Sequence, residues 1–588
     1  MENMVYQQDL KRYTEKKNLL LDKSNKSRFC QRQFLPLWEG ASGSFTLTEQ
    51  EKQLNETMEN LRKKERENAC YGDNKKIYPA AQPFYAVKDH IISSPLYQIF
   101  RLMPKGALLH VHSSAALSPE GLIALFENWN IKFPSQRNIT QSPMQSLYVL
   151  WNDPIPVKWQ KGTLFYQWFL TQYMQEDKDV LLKSCVPLGE VLADPAFRAM
   201  LTFTENVESC PYRWESLNAM FSRTANLFED KEFYREYHKY FFLECLDDNI
   251  EYVEMRSGFA SFYNTSAPAN QIFQSVLAHP DYQWQSHFYF QELNAQNGIQ
   301  NPDFLDILLT EIASIQKTTE GQNFNLRVIL NARRDLNPED TTQCTKLLDK
   351  LNSAILFHAG EQYKKYHDFV IGFDFVSEED RGYSTSAYHS LIYGAAMQMP
   401  LPKDSQYWID LFQDNVICPS KPRIQLIDFY LHDGESTWSD NANVVDACIA
   451  SHYRIGHGFN LIHHPYITES ILFNKDSCGT YFPMLELCPI SNQLLMYYPD
   501  LRCHPALSLM RQGIQCVICN DDPQMFGNGG LSYDFWMAYM GFGIDLLDIK
   551  RLVFNAYYAK SNYEKSDFRI LAQWEHFIEQ ALEIQTNV

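Results

Sequence analysis

Short apolar runs recur along this chain from residue 107 onward, with longer stretches of helical spacing between them. The runs cover 107–112, 251–255, 326–330, 369–375, 425–431, 453–455, 484–487 and 515–519. Runs that short, rich in β-branched residues, read as buried parallel strands. Eight β-then-α units predict an α/β fold, a (β/α)8 TIM-type barrel whose active residues lie at the C-terminal ends of the strands.

Before the first run the pattern is helical. Residues 1–100 read as an N-terminal helical extension. Within it, 46–68 carries Leu47, Leu54, Met58 and Leu61 roughly on one face, and Thr48-Glu49-Gln50-Glu51 has capping-box spacing. That helix is either a surface element or an oligomer contact, which leaves a homodimer possible. The barrel domain spans 101–588, with a mostly helical insertion at 119–245 broken by a polar, proline-bearing stretch near 133–157. Residues 400–423 read as a loop or insertion, and 570–584 as an amphipathic helix.

Composition narrows the partners. The net charge of −19 makes the chain a poor non-specific binder of nucleic acid or anionic membrane. Its 13 cysteines are scattered, some inside apolar runs (Cys488, Cys516, Cys519), and the one CxxC spacing, Cys516-Val517-Ile518-Cys519, lies within such a run. These are reduced, buried thiols rather than a disulfide framework or a cysteine-type zinc site. The first 28 residues lack the apolar core of a secretory signal, and no run is long enough to span a membrane. The expected location is cytoplasmic, with export by a route lacking a cleaved signal left open. The sequons at Asn138 and Asn264 read as chance matches.

The strand ends carry the chemistry. Asp521-Asp522 closes the last run, and two adjacent buried carboxylates repel each other unless a cation is present. His110 and His112, at i and i+2, point to one side of the first strand. His432 and Glu435 follow the fifth run, and His457 the sixth. Imidazole and carboxylate ligands suit zinc.

The order His110-x-His112, Gly372-Phe373-Asp374, His432-Asp433-Gly434-Glu435, Ile455-Gly456-His457-Gly458 and Asp521-Asp522-Pro523 resembles the metal-dependent adenosine and AMP deaminases of the amidohydrolase superfamily. Met103-Pro104-Lys105-Gly106, Cys488-Pro489-Ile490-Ser491-Asn492-Gln493 and Asp522-Pro523-Gln524-Met525-Phe526-Gly527 look most like its adenosine deaminase growth factor (adenosine deaminase 2-like) branch. The resemblance covers about 95–580. His358-Ala359-Gly360-Glu361 spells the family's HAGE motif more literally, but it precedes Gly372-Phe373-Asp374 and lies roughly 100 residues before His457. Order and spacing favour His432.

The resemblance implies one zinc ion per subunit held by His110, His112, His432 and Asp521. The cation would supply hydroxide at neutral pH for attack on C6 of a purine. His457 would orient or deprotonate the water, Glu435 would protonate ring N1, and Asp522 would bond N7 as the neutral acid. The implied reaction is hydrolytic deamination of an adenine nucleoside or nucleotide to the inosine form, with release of ammonia. Trp214 resembles a tryptophan near the family's ribose pocket, and Glu379 matches a family glutamate.

The sugar side departs from the pattern. Ser113 and Ser114 stand where the family places an aspartate, Ser377 replaces a glycine whose N–H should meet purine N3, and Ser257–Asn270 lacks the branch's histidine-rich stretch. Arg333-Arg334 follows the third run, where a sugar or phosphate could be met. These changes suggest a substrate larger than adenosine: AMP, an ADP-ribose-like group, or adenine attached to a macromolecule. Two other classes compete. One is a growth-factor-like binding protein without catalysis, and the other is an amidohydrolase acting on a different ring. No direct nucleic-acid or membrane partner is expected.

Overall fold

The computed structural model describes residues 46–71, 78–136, 147–153, 160–166, 183–204, 213–262, 299–388, 391–392, 427–450, 454–468, 484–561 and 569–585. Both sequons and the 400–423 segment lie outside them.

The strands are β1 (Leu108–His112), β2 (Leu147–Leu150), β3 (Leu164–Tyr166), β4 (Cys185–Pro187), β5 (Tyr252–Ser257), β6 (Asn325–Arg333), β7 (Val370–Val376), β8 (Asp428–Phe429), β9 (His432–Asp433), β10 (Arg454–His457), β11 (Met484–Leu487) and β12 (Cys516–Ile518). One parallel sheet runs β1-β5-β6-β7-β8 and a second β12-β11-β10-β9. They are one closed ring. β8 and β9 are halves of a single segment, in which the Tyr430 N–H donates to Phe373 O and Leu431 O accepts from Gly456 N–H. At the other seam Val111 bridges Asp521 in parallel, and His112 N–H donates to Asp521 O at 3.0 Å. The expected eight-stranded parallel barrel is therefore present, with its strands buried as such a sheet requires.

Within 119–245 the mostly helical expectation needs correction. Helices Pro119–Gln136, Arg213–Thr224 and Lys231–Asp247 are there, but β3-β2-β4 forms a small antiparallel sheet between them. Strands of three or four residues are too short to show a period of their own.

The extension packs on the C-terminal helices. Thr48 and Glu51 form the anticipated reciprocal cap, Thr48 N–H donating to the Glu51 carboxylate at 2.6 Å and Glu51 N–H to Thr48 Oγ1 at 3.2 Å. Glu51 also accepts from Lys550 and the Trp574 indole. Arg62 donates to the carbonyls of Tyr539 and Ile544. Leu54 and Met58 are buried within the chain itself, so they are not a stripe held for a second copy. Helix Arg569–Gln585 covers the same region with Ile570, Trp574, Phe577 and Ile578. Among the described residues no helix is long and apolar enough to cross a membrane. The described cysteines are free thiols, and Cys488, Cys516 and Cys519 are buried.

Burial of Leu54 gives a direct test of this packing. Leu54→Ala is expected to destabilise the protein by about 2–5 kcal/mol, the usual range for a buried Leu→Ala change, read as a lower urea midpoint at constant slope. A midpoint unchanged from wild type would show the extension to be loosely attached.

Candidate functional site

Four strand tips deliver the predicted histidines and carboxylates to one point inside the barrel mouth. His110 and His112 come from β1, His432 from β9, His457 from β10, and Asp521 follows β12. His112 Nε2 lies 3.1 Å from His432 Nε2 and 3.2 Å from Asp521 Oδ1, and His110 Nε2 lies 3.2 Å from the same oxygen. Metal–nitrogen bonds of ~2.0–2.1 Å in a tetrahedron put donor atoms about 3.3–3.4 Å apart, close to this spacing.

The tautomers are fixed from behind. His110 Nδ1–H donates to Glu486 Oε2 at 2.9 Å, and His432 Nδ1–H to Asp374 Oδ2 at 2.6 Å. Carboxylates only accept here, so both Nε2 atoms point their lone pairs at the centre. Burial, then the charges of His110 and Arg256, holds the His432 ring pKa well below its usual value. His110 Nε2 is buried with no hydrogen-bond partner in the chain. Lone pairs facing a carboxylate oxygen without a proton between them call for a cation, so the donor set fits a divalent metal.

The two supporting carboxylates are tied together. Arg256, fully buried, donates to Asp374 Oδ2 at 2.8 Å and to Glu486 Oε2 at 2.6 Å. Arg454 joins Glu486, at 2.7 Å, to Glu254. Burial alone would raise the Glu486 pKa, but Arg256 and His110 outweigh it and hold the group well below the usual range.

Above the cluster are three unpaired polar atoms, Glu435 Oε1, His457 Nε2 and Asp522 Oδ1, all buried. His457 Nε2 is 3.5 Å from Glu435 Oε1 and 4.0 Å from Asp521 Oδ2. Burial, then the charges of Asp521, Glu379 and Asp522, pushes Glu435 well above the carboxylate range. Burial and then Asp521 do the same to Asp522. Asp521 itself lies well below its ordinary value, because its close contacts with the His110 and His112 rings outweigh its burial. His457 and Asp521 have φ of 58° and 64°, left-handed values that cost a non-glycine residue about 1–2 kcal/mol. Strain at two strand tips is typical of a functional site.

The sugar-side candidates divide. Ser113 Oγ is 2.9 Å from His238 Nε2. His238 Nδ1–H donates to Tyr234 O at 2.7 Å, so the neutral ring accepts from the Ser113 hydroxyl. Ser114 lies next to it, half-buried. Trp214 Nε1–H donates to Tyr497 Oη at 3.0 Å, and Tyr497 is close enough to Glu435 for that charge to raise its pKa after burial has done so. Ser377 has φ of 100°, a conformation suited to the glycine it replaces. Glu379 accepts from Glu435 N–H at 2.6 Å and from Asn443 Nδ2 at 3.0 Å, so it holds Glu435 in place. Arg334 is buried against Asp433 and the His432 carbonyl, which removes it as a phosphate ligand. Arg333 stays at the surface, donating to Asp335 and, at 3.3 Å, to Ser377 Oγ. His358 bonds Val370 O at the far end of β7, away from the site, as its place in the motif order implied.

The sequence did not single out Glu486, Arg256, Arg454, Asn492 or His238. The first three sit in strands and resemble ordinary strand positions. Their only signal is charge inside apolar runs: Arg256 after 251–255, Arg454 within 453–455 and Glu486 within 484–487.

The protein is a closed parallel barrel with a histidine–aspartate cluster at its C-terminal mouth, a donor set that fits a divalent metal. The family model for adenosine deaminase matches residues 410–572. Adenosine deaminase 2 of Homo sapiens is 26% identical over 553 residues, covering 91% of this chain and 90% of its own length. Adenosine deaminase 2-A of Danio rerio is 27% identical over 555 residues, covering 92% and 91%. Among solved structures, an adenine deaminase from Arthrobacter aurescens aligns over 81% of this chain and 99% of its own, at 14% identity and a TM-score of 0.43. The resemblance to the adenosine deaminase family, on its adenosine deaminase 2-like side, is thus borne out across nine-tenths of the chain by the sequence relatives.

Two consequences can be measured. Glu486→Gln and Asp374→Asn should each weaken zinc binding by about 10–100-fold in competition with a chromophoric chelator, the usual cost of losing a carboxylate behind a metal histidine. Unchanged affinity in both would detach these carboxylates from the metal centre. Ser377→Gly should stabilise the protein by about 1 kcal/mol by relieving the left-handed backbone; a loss of stability would show that the serine side chain outweighs the strain.

Proposed function

We propose that this protein is a zinc-dependent hydrolytic deaminase that converts an adenine nucleoside or nucleotide to its inosine form. The observation that carries this reading is the meeting of His110, His112, His432 and Asp521 within hydrogen-bonding distances, beside two carboxyls, Glu435 and Asp522, whose pKa burial raises well above the carboxylate range.

Those four side chains would hold one zinc ion per subunit, which when bound lowers the pKa of a water molecule toward neutrality. Glu435 supplies the proton that ring N1 takes up as the aromatic system is broken, which is why a carboxyl kept neutral at pH 7 suits it. Asp522, also neutral, donates its O–H to N7. The two adjacent aspartates thus do different work: one is ionised beside the histidines, the other faces the base. His457 orients the attacking oxygen. Trp214, Tyr497, Ser113 and the Ser377 N–H form the sugar side, and Glu379 fixes the Glu435 backbone.

Arg333 favours the longer-substrate version. It lies at the rim beside Ser377 with its side chain 55% exposed, and Ser113 next to the cluster is neutral rather than anionic. A 5′-phosphate would meet no carboxylate at Ser113. The family relationship does not distinguish AMP, ADP-ribose and a macromolecule-linked adenine, so the test is a panel.

Ammonia release, with loss of the adenine absorbance band, should be measured on adenosine, AMP, ADP-ribose and adenylylated protein. At least one is expected to react, to stop reacting on chelation, and to recover with zinc. Glu435→Gln should lower kcat by roughly 10²–10⁴-fold, the scale of a lost general acid. Because the Glu435 pKa is raised, activity should fall as pH rises through it and the proton is lost. Zinc-loaded protein releasing ammonia from none of these compounds would end the proposal. Adenosine greatly preferred over AMP and ADP-ribose would remove the 5′-extended version alone.

A further inference from the structure

The side of His457 turned away from the cluster is held by a chain of hydrogen bonds that takes no part in gripping a cation. It begins at His504, a buried ring stacked on Phe542 at 4.9 Å and flanked edge-on by Tyr498 at 4.8 Å. The Ala506 backbone N–H donates to His504 Nδ1 at 3.1 Å. A backbone N–H can only donate, so Nδ1 carries no proton. Burial holds this ring neutral, with a pKa down to about 3, so its one proton is on Nε2.

His504 Nε2 lies 3.2 Å from Asn492. Since that nitrogen donates, the amide atom facing it is the oxygen. The Asn492 amide is thereby fixed, and its NH2 is turned to His457 Nδ1 at 3.3 Å. His457 Nδ1 must then accept, which leaves the proton of its neutral ring on Nε2. The logic starts from a donor of unambiguous identity and passes through each group without a free choice.

We infer that Asn492 and His504 are positioning residues that lock His457 with its proton on Nε2, so that His457 meets the reacting oxygen as a hydrogen-bond donor and not as a proton acceptor. His457 Nε2 has no partner in the chain and faces the space between Glu435 Oε1 and Asp521 Oδ2. A donor there steadies negative charge on an attacking oxygen but cannot also remove its proton. Asp521 Oδ2 is the acceptor that faces the same space. The inference deepens the proposed deaminase reading and rests on it for its kinetic consequence.

Asn492→Asp is the discriminating variant. It keeps the shape but replaces the donor with an acceptor, which pulls the His457 proton to Nδ1 and leaves Nε2 bare. With zinc content unchanged, kcat should fall by roughly 10²–10³-fold, the scale of one donor lost from a developing oxyanion, while KM holds. Lowering the pH until the introduced carboxyl is protonated should return part of the lost kcat, a recovery that mere structural damage would not give. Independently, the 15N spectrum of the histidine-labelled, zinc-loaded wild-type protein should show the His457 proton on Nε2, with the signal assigned by its absence in His457→Gln. A proton on Nδ1 in that spectrum would overturn the inference, as would a zinc-loaded Asn492→Asp protein with wild-type kcat. If Asn492→Asp does not fold, the wild-type spectrum alone decides. If wild-type protein deaminates nothing, the function proposed above fails while the spectrum still tests the lock.

Discussion

Three imidazole nitrogens and one carboxylate oxygen face each other across 3.1–3.2 Å with no proton available to at least two of the nitrogens. Such an arrangement repels itself until a cation enters, and the barrel spends much of its interior keeping it in place. Below the histidines, where a TIM-type barrel ordinarily stacks branched apolar side chains, this one buries Glu254, Arg256, Asp374, Arg454 and Glu486. Buried ion pairs add little to stability because desolvation consumes the attraction. What they provide here is aim. Arg256 binds both Asp374 and Glu486, and each of those carboxylates fixes the far nitrogen of one histidine. One guanidinium therefore sets the orientation of two candidate ligands from two separate strands.

The same economy of placement explains the upper half of the site. Glu379 holds the Glu435 backbone, Arg334 holds the carbonyl of His432, and Asn492 holds His457. Glu435, His432 and His457 are thus each braced by a residue from a neighbouring strand or loop. Left-handed backbone at His457 and Asp521 turns both side chains into the mouth, and the ring closure between β1 and β12 passes through Asp521 itself. Barrel closure and the candidate metal cluster share Asp521, so an error in one is felt in the other.

Much of the fold was legible from the eight apolar runs, and four of them announced themselves twice, each as an apolar run and as candidate metal or catalytic residues at its end. His110, His112, His432, His457, Glu435, Asp521 and Asp522 were all found that way, and all meet in one cluster. The bracing network was not found, because a single arginine or glutamate in a strand has no spacing to betray a partner more than a hundred residues away, as with Arg256 and Asp374. Arg333-Arg334 shows the limit from the other side: two identical neighbours in sequence, one buried as an ion pair and one exposed at the rim, since adjacent strand-end residues face opposite ways. The β3-β2-β4 sheet escaped because strands of three or four residues are too short to repeat an alternating pattern distinguishably.

The most direct test of the central claim is a crystal structure of the protein prepared with zinc, with data collected on both sides of the zinc absorption edge. The account predicts one zinc per chain, bonded to His110, His112, His432 and Asp521, with Glu486 and Asp374 behind two of the histidines. A fully zinc-supplied crystal with no anomalous peak at that point, or with those four side chains directed away from one another, would contradict it.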